Sequence, residues 1–230
     1  MIPIYITGYE RSGTTLVRRL VSMHPGFTYS IVHERRADLM RVKSRKQAVA
    51  VLSGLVKNNA TASPEAGLKM PYLSFASGRE TLLKYMRLFP EAKIVHVIRD
   101  PVYAINSQVK TFGHSAGECI KWYFESVPKM TRLLERYGDV FTLHYESLTA
   151  DPESTVRSLY DWIEEGVSDE HIEKVLHIKE HWMYNGRVMP GLRYFDHIKG
   201  SSELVLPQNV VERIRAVALG YPLLPPQSGR

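Results

Sequence analysis

The chain has one cysteine, Cys119, among its 230 residues. An internal disulfide is therefore excluded, which suits a reducing compartment. No run of 18 apolar residues occurs, so no segment reads as a membrane-spanning helix. No charged stretch followed by an apolar one precedes Ile2-Pro3-Ile4-Tyr5-Ile6. Nothing therefore reads as a signal peptide, and the cytoplasm is the expected location. Internal repeats and low-complexity linkers are lacking too. The most informative absence is a single lysine. Residues 8–15 read Gly8-Tyr9-Glu10-Arg11-Ser12-Gly13-Thr14-Thr15. An ATP-binding phosphate loop runs G-x-x-x-x-G-K-[ST], and its Lys reaches the terminal phosphates. Here both glycines and the final hydroxyl keep register, but Thr14 stands where that Lys belongs, and Arg11 supplies a cation inside the loop. Such a loop still wraps a phosphate with backbone N–H groups at a helix N-terminus. It lacks the usual grip on a γ-phosphate, so the expected ligand is a nucleotide with a different 5′ group.

The length suits one large domain, residues 1–222, with a tail at 223–230. An apolar content of 44% and a charged content of 23% are those of an ordinary globular protein. Net charge is +6, and Arg35, Arg36, Arg41, Lys43, Arg45 and Lys46 crowd one stretch. That stretch reads either as a solvated helix face or as a contact for an anionic ligand or acidic acceptor. No recognition module accompanies the charge, so nucleic acid is not an expected partner.

Strand and helix patterns alternate along the chain. Residues 2–7 read as a buried strand and Thr14 to Met23 as the helix after it, the context a phosphate loop requires. A second strand is expected over 27–32, ending at His33-Glu34-Arg35-Arg36, and a helix over 37–58. Leu68-Lys69-Met70-Pro71 reads as short and extended. Further helices are expected over 78–89, 102–109, 116–137, 152–165, 168–177 and 207–219. Strands are expected over 93–98 and 140–144, the latter ending in Tyr145-Glu146-Ser147-Leu148. Residues 183–206 read as a long loop. The alternation predicts an α/β fold, a P-loop-type parallel sheet with helices on both faces. Ligands of such sheets bind beyond the carboxyl ends of the strands. The 8–15 loop, Glu34, Lys69, Arg99 and Tyr145 are expected there.

A second constellation is Arg99-Asp100-Pro101-Val102-Tyr103-Ala104-Ile105-Asn106-Ser107. Arg99 ends a strand, and Ser107 falls about two turns into the next helix. The loop resembles the [RK]-S-G-T-T motif of sulfotransferases, and this segment resembles their R-D-P-x(5)-S motif. Within that family, His24-Pro25, Lys69-Met70-Pro71, Leu88-Phe89-Pro90, Tyr145-Glu146-Ser147-Leu148 and Leu219-Gly220-Tyr221-Pro222 resemble the tyrosylprotein sulfotransferase branch. The resemblance implies a sulfotransferase using 3′-phosphoadenosine 5′-phosphosulfate (PAPS) and releasing adenosine 3′,5′-bisphosphate (PAP), with no metal required. It implies that Arg11, Ser12, Gly13, Thr14 and Thr15 cradle the 5′-phosphosulfate. Arg99 and Ser107, with Lys110, would bind the 3′-phosphate, and Tyr145 would lie against adenine. Glu34 would be the base, with His33 its competitor. Arg11 and Lys69 would assist the sulfuryl group, and Ser201 or Ser202 would donate to the leaving phosphate.

The chain departs from that branch in lacking its lumenal anchor and cysteines. The expected partner is a hydroxyl-bearing acceptor, either tyrosine of an acidic peptide or a small phenol, alcohol or carbohydrate. A homodimer is compatible with the sequence. Two other classes compete, an ATP-dependent P-loop kinase and a non-catalytic nucleotide-binding module. Thr14 in place of Lys argues against the first, and the presence of Glu34 and Lys69 against the second.

Overall fold

Strand β1 (Ile4–Gly8) is buried at all five residues, as a strand covered on both faces must be. The computed structural model describes residues 4–24, 27–28, 41–51, 70–74, 79–163, 166–177, 182–184, 187–189 and 204–219. Around β1, four more strands complete a parallel sheet: β2 (Phe27–Thr28), β3 (Met70–Ser74), β4 (Lys93–Ile98) and β5 (Val140–His144), in the order β2-β3-β1-β4-β5. The chain steps outward from β1 to β2 and β3, then crosses to β4 on the other side. The crevice of such a sheet opens at this reversal, above the carboxyl ends of β1 and β4.

Period-two alternation divides the core. Ile4, Ile6, Val95, Val97 and Leu143 join Leu16, Val17, Leu20 and Val21 of α1 (Thr14–Met23). Residues of α6 (Pro152–Ile163) and α7 (Asp169–His177) complete that layer. Tyr5 and Ile94 face the other way, toward Leu82 and Met86 of α2 (Arg79–Leu88) and Leu134 at the end of α4 (Ala116–Leu134). Helices thus cover both faces, as the sequence pattern predicts. A third cluster joins α3 (Pro101–Phe112), α4 and α8 (Gln208–Leu219) beside Tyr9, at the carboxyl end of the sheet. A capping box, Ser115 with Glu118, starts α4 sharply after α3.

Two expectations change. Tyr145-Glu146-Ser147-Leu148 is not a strand end but the first part of a short helix, α5 (Tyr145–Ala150), which follows β5 without a break. Within the expected loop 183–206, β6 (Trp182–Tyr184) and β7 (Arg187–Met189) pair antiparallel. The basic stretch is described only in part. Arg41, Lys43, Arg45 and Lys46 are exposed; Arg35 and Arg36 lie outside the described residues. Arg45 is ion-paired with Glu91 and lies 5.4 Å from the Phe89 ring centroid. Val42 and Ala48 pack with Phe89 and Ala92. Phe89, Glu91 and Ala92 lead into β4, so this segment is anchored at the amino end of the sheet. Of the expected helix 37–58, residues 45–51 are described as helical. No helix among the described residues is long and apolar enough to cross a membrane.

His96 of β4 is buried, and burial pushes its imidazole down to about 4, with His144 of β5 acting in the same sense. Burial also lowers His144 itself. The unfolded chain takes up these protons near the ordinary value of about 6.5. Stability is therefore complete above about pH 6.5 and falls as pH drops toward 4, because the unfolded state binds more protons there. For His96 the loss is on the order of 2 kcal/mol at pH 5. Urea midpoints at pH 7 and pH 5 check this: His96→Gln is expected to flatten the difference, and an unchanged difference would locate the acid sensitivity elsewhere.

Candidate active site

Three strand ends lie flush. Gly8 is beside Val97, and Ile98 is beside His144. The residues that follow, Tyr9 after β1, Arg99 after β4 and Tyr145 after β5, therefore emerge side by side. Gly8 permits this closeness: a Cβ there would stand 2.5 Å from the Val97 carbonyl oxygen. The loop then turns tightly, with the Ser12 N–H donating to the Tyr9 carbonyl at 3.1 Å. Arg11 has φ 67° and Gly13 φ 95°, both left-handed. Helix α1 starts at Thr14 with no side-chain cap and no carboxylate in its first turn. Its positive end is thus left to whatever the loop holds.

Arg99 reaches across to this loop. Its Nη1 donates to the Arg11 carbonyl at 2.9 Å, and its guanidinium carbon lies 4.2 Å from the Tyr145 ring centroid. The strand end is clamped behind it. Tyr123 Oη donates to the Arg99 carbonyl at 2.5 Å. The Asp100 N–H donates to Glu146 Oε1 at 2.9 Å, and Asp100 Oδ1 accepts from the Val102 N–H at 2.7 Å, capping α3. Pro101 occupies the first helical position, where its missing N–H costs nothing. Ser107, two turns along α3, accepts from Arg11 Nε at 3.1 Å. Arg11, Ser12, Gly13, Arg99, Ser107 and Tyr145 therefore form one cluster, and the two motifs touch directly. Thr14 is buried at the start of α1, and Thr15 is exposed beside it. Lys110 is exposed one turn after Ser107, on the same side of α3.

Two guanidinium groups converge here, and among the described residues neither is paired with a carboxylate. Ser12 Oγ and Arg99 Nε are buried without a hydrogen-bond partner. Unmet buried donors beside converging cations fit a polyanionic ligand. Among the described residues no cluster of three metal-ligating side chains occurs.

Glu34, His33, Lys69, Ser201 and Ser202 lie outside the described residues. Strand β3 begins at Met70, immediately after Lys69, and Tyr72 is already level with Ile4. Sequence reasoning also missed a second set of residues beside the loop. Tyr9 Oη donates to Gln108 Oε1 at 2.6 Å, and Gln108 Nε2 donates to Glu10 Oε2 at 3.3 Å. Burial pushes the Tyr9 phenol well above its ordinary range, so it stays a proton donor. The available signal was position: Tyr9, Glu10 and Gln108 are immediate neighbours of motif residues.

Residues 79–169 match the model of the Sulfotransferase family, a span that contains Arg99, Ser107 and Tyr145. Protein-tyrosine sulfotransferase 1 of Danio rerio is 26% identical over 188 residues, covering 68% of this chain and 51% of that protein. The chain thus spans about half the length of this curated relative. The sulfotransferase domain of the Synechococcus PCC 7002 olefin synthase superimposes with a TM-score of 0.59 at 18% identity, over 97% of this chain and 96% of that one. The mouse sulfotransferase SULT7A1 complexed with PAP gives 0.54 at 14% identity, over 75% of this chain and 61% of that one. These likenesses establish the sulfotransferase fold.

The seat of Tyr145 on Gly13 is testable. A Cβ on Gly13 would stand 2.4 Å from Tyr145 Cδ2, at a φ of 95°. Gly13→Ala is expected to cost about 1–3 kcal/mol of stability. Gly117, where an added Cβ meets nothing within 4 Å, is the control: Gly117→Ala is expected to stabilise by about 0.4–1 kcal/mol. Urea denaturation of both checks this, and equal midpoints would show that the ring does not rest on Gly13.

Proposed function

We propose that this chain, which resembles the sulfotransferase family and shares its fold, is an enzyme that moves a sulfuryl group from PAPS to an acceptor hydroxyl. The observation that carries the reading is the joined cluster of Arg11, Ser107 and Arg99 on a lysine-free loop with unmet donors at Ser12 Oγ and Arg99 Nε. The PAP carried by the mouse structure with the same fold supports the choice of nucleotide. In the reaction a bond forms between the acceptor oxygen and sulfur as the bond from sulfur to the 5′-phosphate oxygen breaks, and the acceptor's proton passes to a base.

The chain's residues divide that work. Loop N–H groups, Ser12 and Thr14 hold the 5′ side at the positive end of α1, with Thr15 at its rim. Arg99, Ser107 and Lys110 hold the 3′-phosphate. Arg11, bonded to Ser107, stands between the two ends and meets charge that grows on the bridging oxygen. Tyr145, engaged by Gly13 and Arg99, positions those two groups at the border of the adenine site. Glu34 takes the acceptor's proton. Lys69 assists the sulfuryl group together with Arg11. The tyrosine sulfotransferase relative supports a phenolic hydroxyl as acceptor.

PAP is expected to raise the melting temperature without metal, and more than ATP with Mg²⁺ does. Arg99→Ala is expected to weaken PAP by roughly 10- to 100-fold, the worth of charge-assisted hydrogen bonds, and adenosine 5′-phosphate far less. Calorimetric titration of both ligands checks this, and equal losses would remove Arg99 from the 3′-phosphate.

Glu34→Gln is expected to keep PAP affinity while turnover falls about 10²-fold or more. A near-normal rate in this variant would move the base to His33 or another group.

A further inference from the structure

Beside the loop lies a cavity of about 500 Å³. Glu10, His96, Gln108, Trp122, Glu125 and Lys129 line it, and Gly8 forms part of its wall. It occupies the sheet face that carries Ile94, because His96 alternates with the inward-facing Val95 and Val97. Its lining adjoins the anion cluster at two points of the chain: Glu10 directly precedes Arg11, and Gln108 directly follows Ser107. A volume of this size holds a small ring compound.

The lining has a definite chemistry. Glu10 and Glu125 bring two carboxylates and Lys129 one ammonium, and no ion pair joins Lys129 to either among the described residues. His96 is almost wholly buried, at 2% exposure, and its ring has no hydrogen-bond partner among the described residues. Burial holds it neutral, so it offers one donor and one acceptor to a ligand without adding charge. Trp122 is partly exposed, and an indole face attracts cations. The balance is one net negative charge beside an aromatic ring. The described part of the basic stretch, which would favour an acidic acceptor, is anchored at the opposite end of the sheet.

We propose that this cavity is the acceptor pocket and that it selects a small hydroxyl compound bearing a protonated amine. The proposal rests on the sulfuryl-transfer reading above and names the acceptor class for it. Carboxylate-bearing acceptors, including tyrosine flanked by acidic residues, are disfavoured by Glu10 and Glu125.

Three phenols that share a ring and differ in charge test this: tyramine, 4-ethylphenol and 3-(4-hydroxyphenyl)propionate. Binding to the full chain is followed by saturation-transfer NMR at saturating PAP, and sulfation is followed with PAPS. Tyramine is expected to bind and react best and the propionate worst. The tyramine preference is expected to fall roughly 3- to 10-fold in Glu125→Gln, an exposed site, and to shrink with added salt. PAP affinity in that variant should be unchanged, which separates a lost acceptor contact from misfolding. Glu10→Gln gives a second, independent reading of the same preference. If the propionate or an acidic tyrosine peptide is preferred, or if neither variant moves the tyramine preference, the pocket assignment is overturned. Failure of PAP to bind the unaltered chain would instead sink the sulfuryl-transfer reading.

Discussion

The bond from the Arg99 guanidinium to the Arg11 carbonyl joins two strand ends 88 residues apart in sequence. The site depends on it. Arg11 adopts a left-handed backbone that costs a non-glycine residue on the order of 1–2 kcal/mol. A conformation of that kind persists only where neighbours hold it. Arg99 holds the carbonyl, and Ser107 holds the side chain through Nε. Behind Arg99, Tyr123 and Glu146 fix the backbone of the strand end. In front, Tyr145 lies under the guanidinium and against Gly13. Strand ends, loop and helix start are thus set in one piece by contacts to a single arginine. The result brings two cations together with no carboxylate of the described residues bonded to either. Their mutual repulsion is relieved by an anion between them, so the fold builds its own affinity for a phosphate-rich ligand.

The two ends of the sheet carry different charge chemistry. A net charge of +6 says nothing about where the cations sit. At the amino end, Arg45 pairs with Glu91 and the segment carrying Lys43 and Lys46 packs through Val42 and Ala48. At the carboxyl end, Arg11, Arg99 and the exposed Lys110 gather on one side, while Glu10 and Glu125 line the neighbouring cavity with Lys129. The positive zone is therefore narrow. It suits a nucleotide with phosphate at both ends of the ribose, while the neighbouring cavity carries two carboxylates against one ammonium. Charge separation over one or two residues, from Arg11 to Glu10, distinguishes the two halves of the site.

The sequence made the donor half legible because its signals are local. Loop, helix start and the Arg99 to Ser107 spacing are fixed by covalent distance, and strands 93–98 and 140–144 stand out as apolar runs. Helix α5 was missed because nothing breaks the chain after His144: no Gly or Pro separates it from β5, and only Glu146 in the first turn marks a helix start. The β6–β7 hairpin had a signal that went unread. Trp182-Met183-Tyr184 and Arg187-Val188-Met189 flank Asn185-Gly186, a two-residue pair favoured in tight hairpins. The contact of Arg11 with Ser107 and the lining of the cavity are tertiary facts, and no spacing rule reaches them.

This division follows from how the two halves recognise their ligands. A phosphate needs backbone N–H groups and a few cations in fixed array, and one tight loop with one strand end supplies most of them. A small acceptor is recognised by the shape and charge of a cavity, and the cavity proposed for it is walled by distant elements, the loop, β4, α3 and α4. Several wall residues have a second, structural duty that masks them in the sequence. Tyr9 and Gln108 bond to one another and fasten the loop to α3. His96 fills the sheet between β1 and β5. Trp122 stands one residue before Tyr123, the clamp on Arg99. A change in acceptor preference thus has few positions open to it that do not also disturb the donor cluster. Glu125 and Lys129 are the freest of them: both are exposed on α4 and neither is bonded to the loop. Specificity in this fold is therefore most readily tuned from that one face of α4, while the arginine-centred cluster stays fixed.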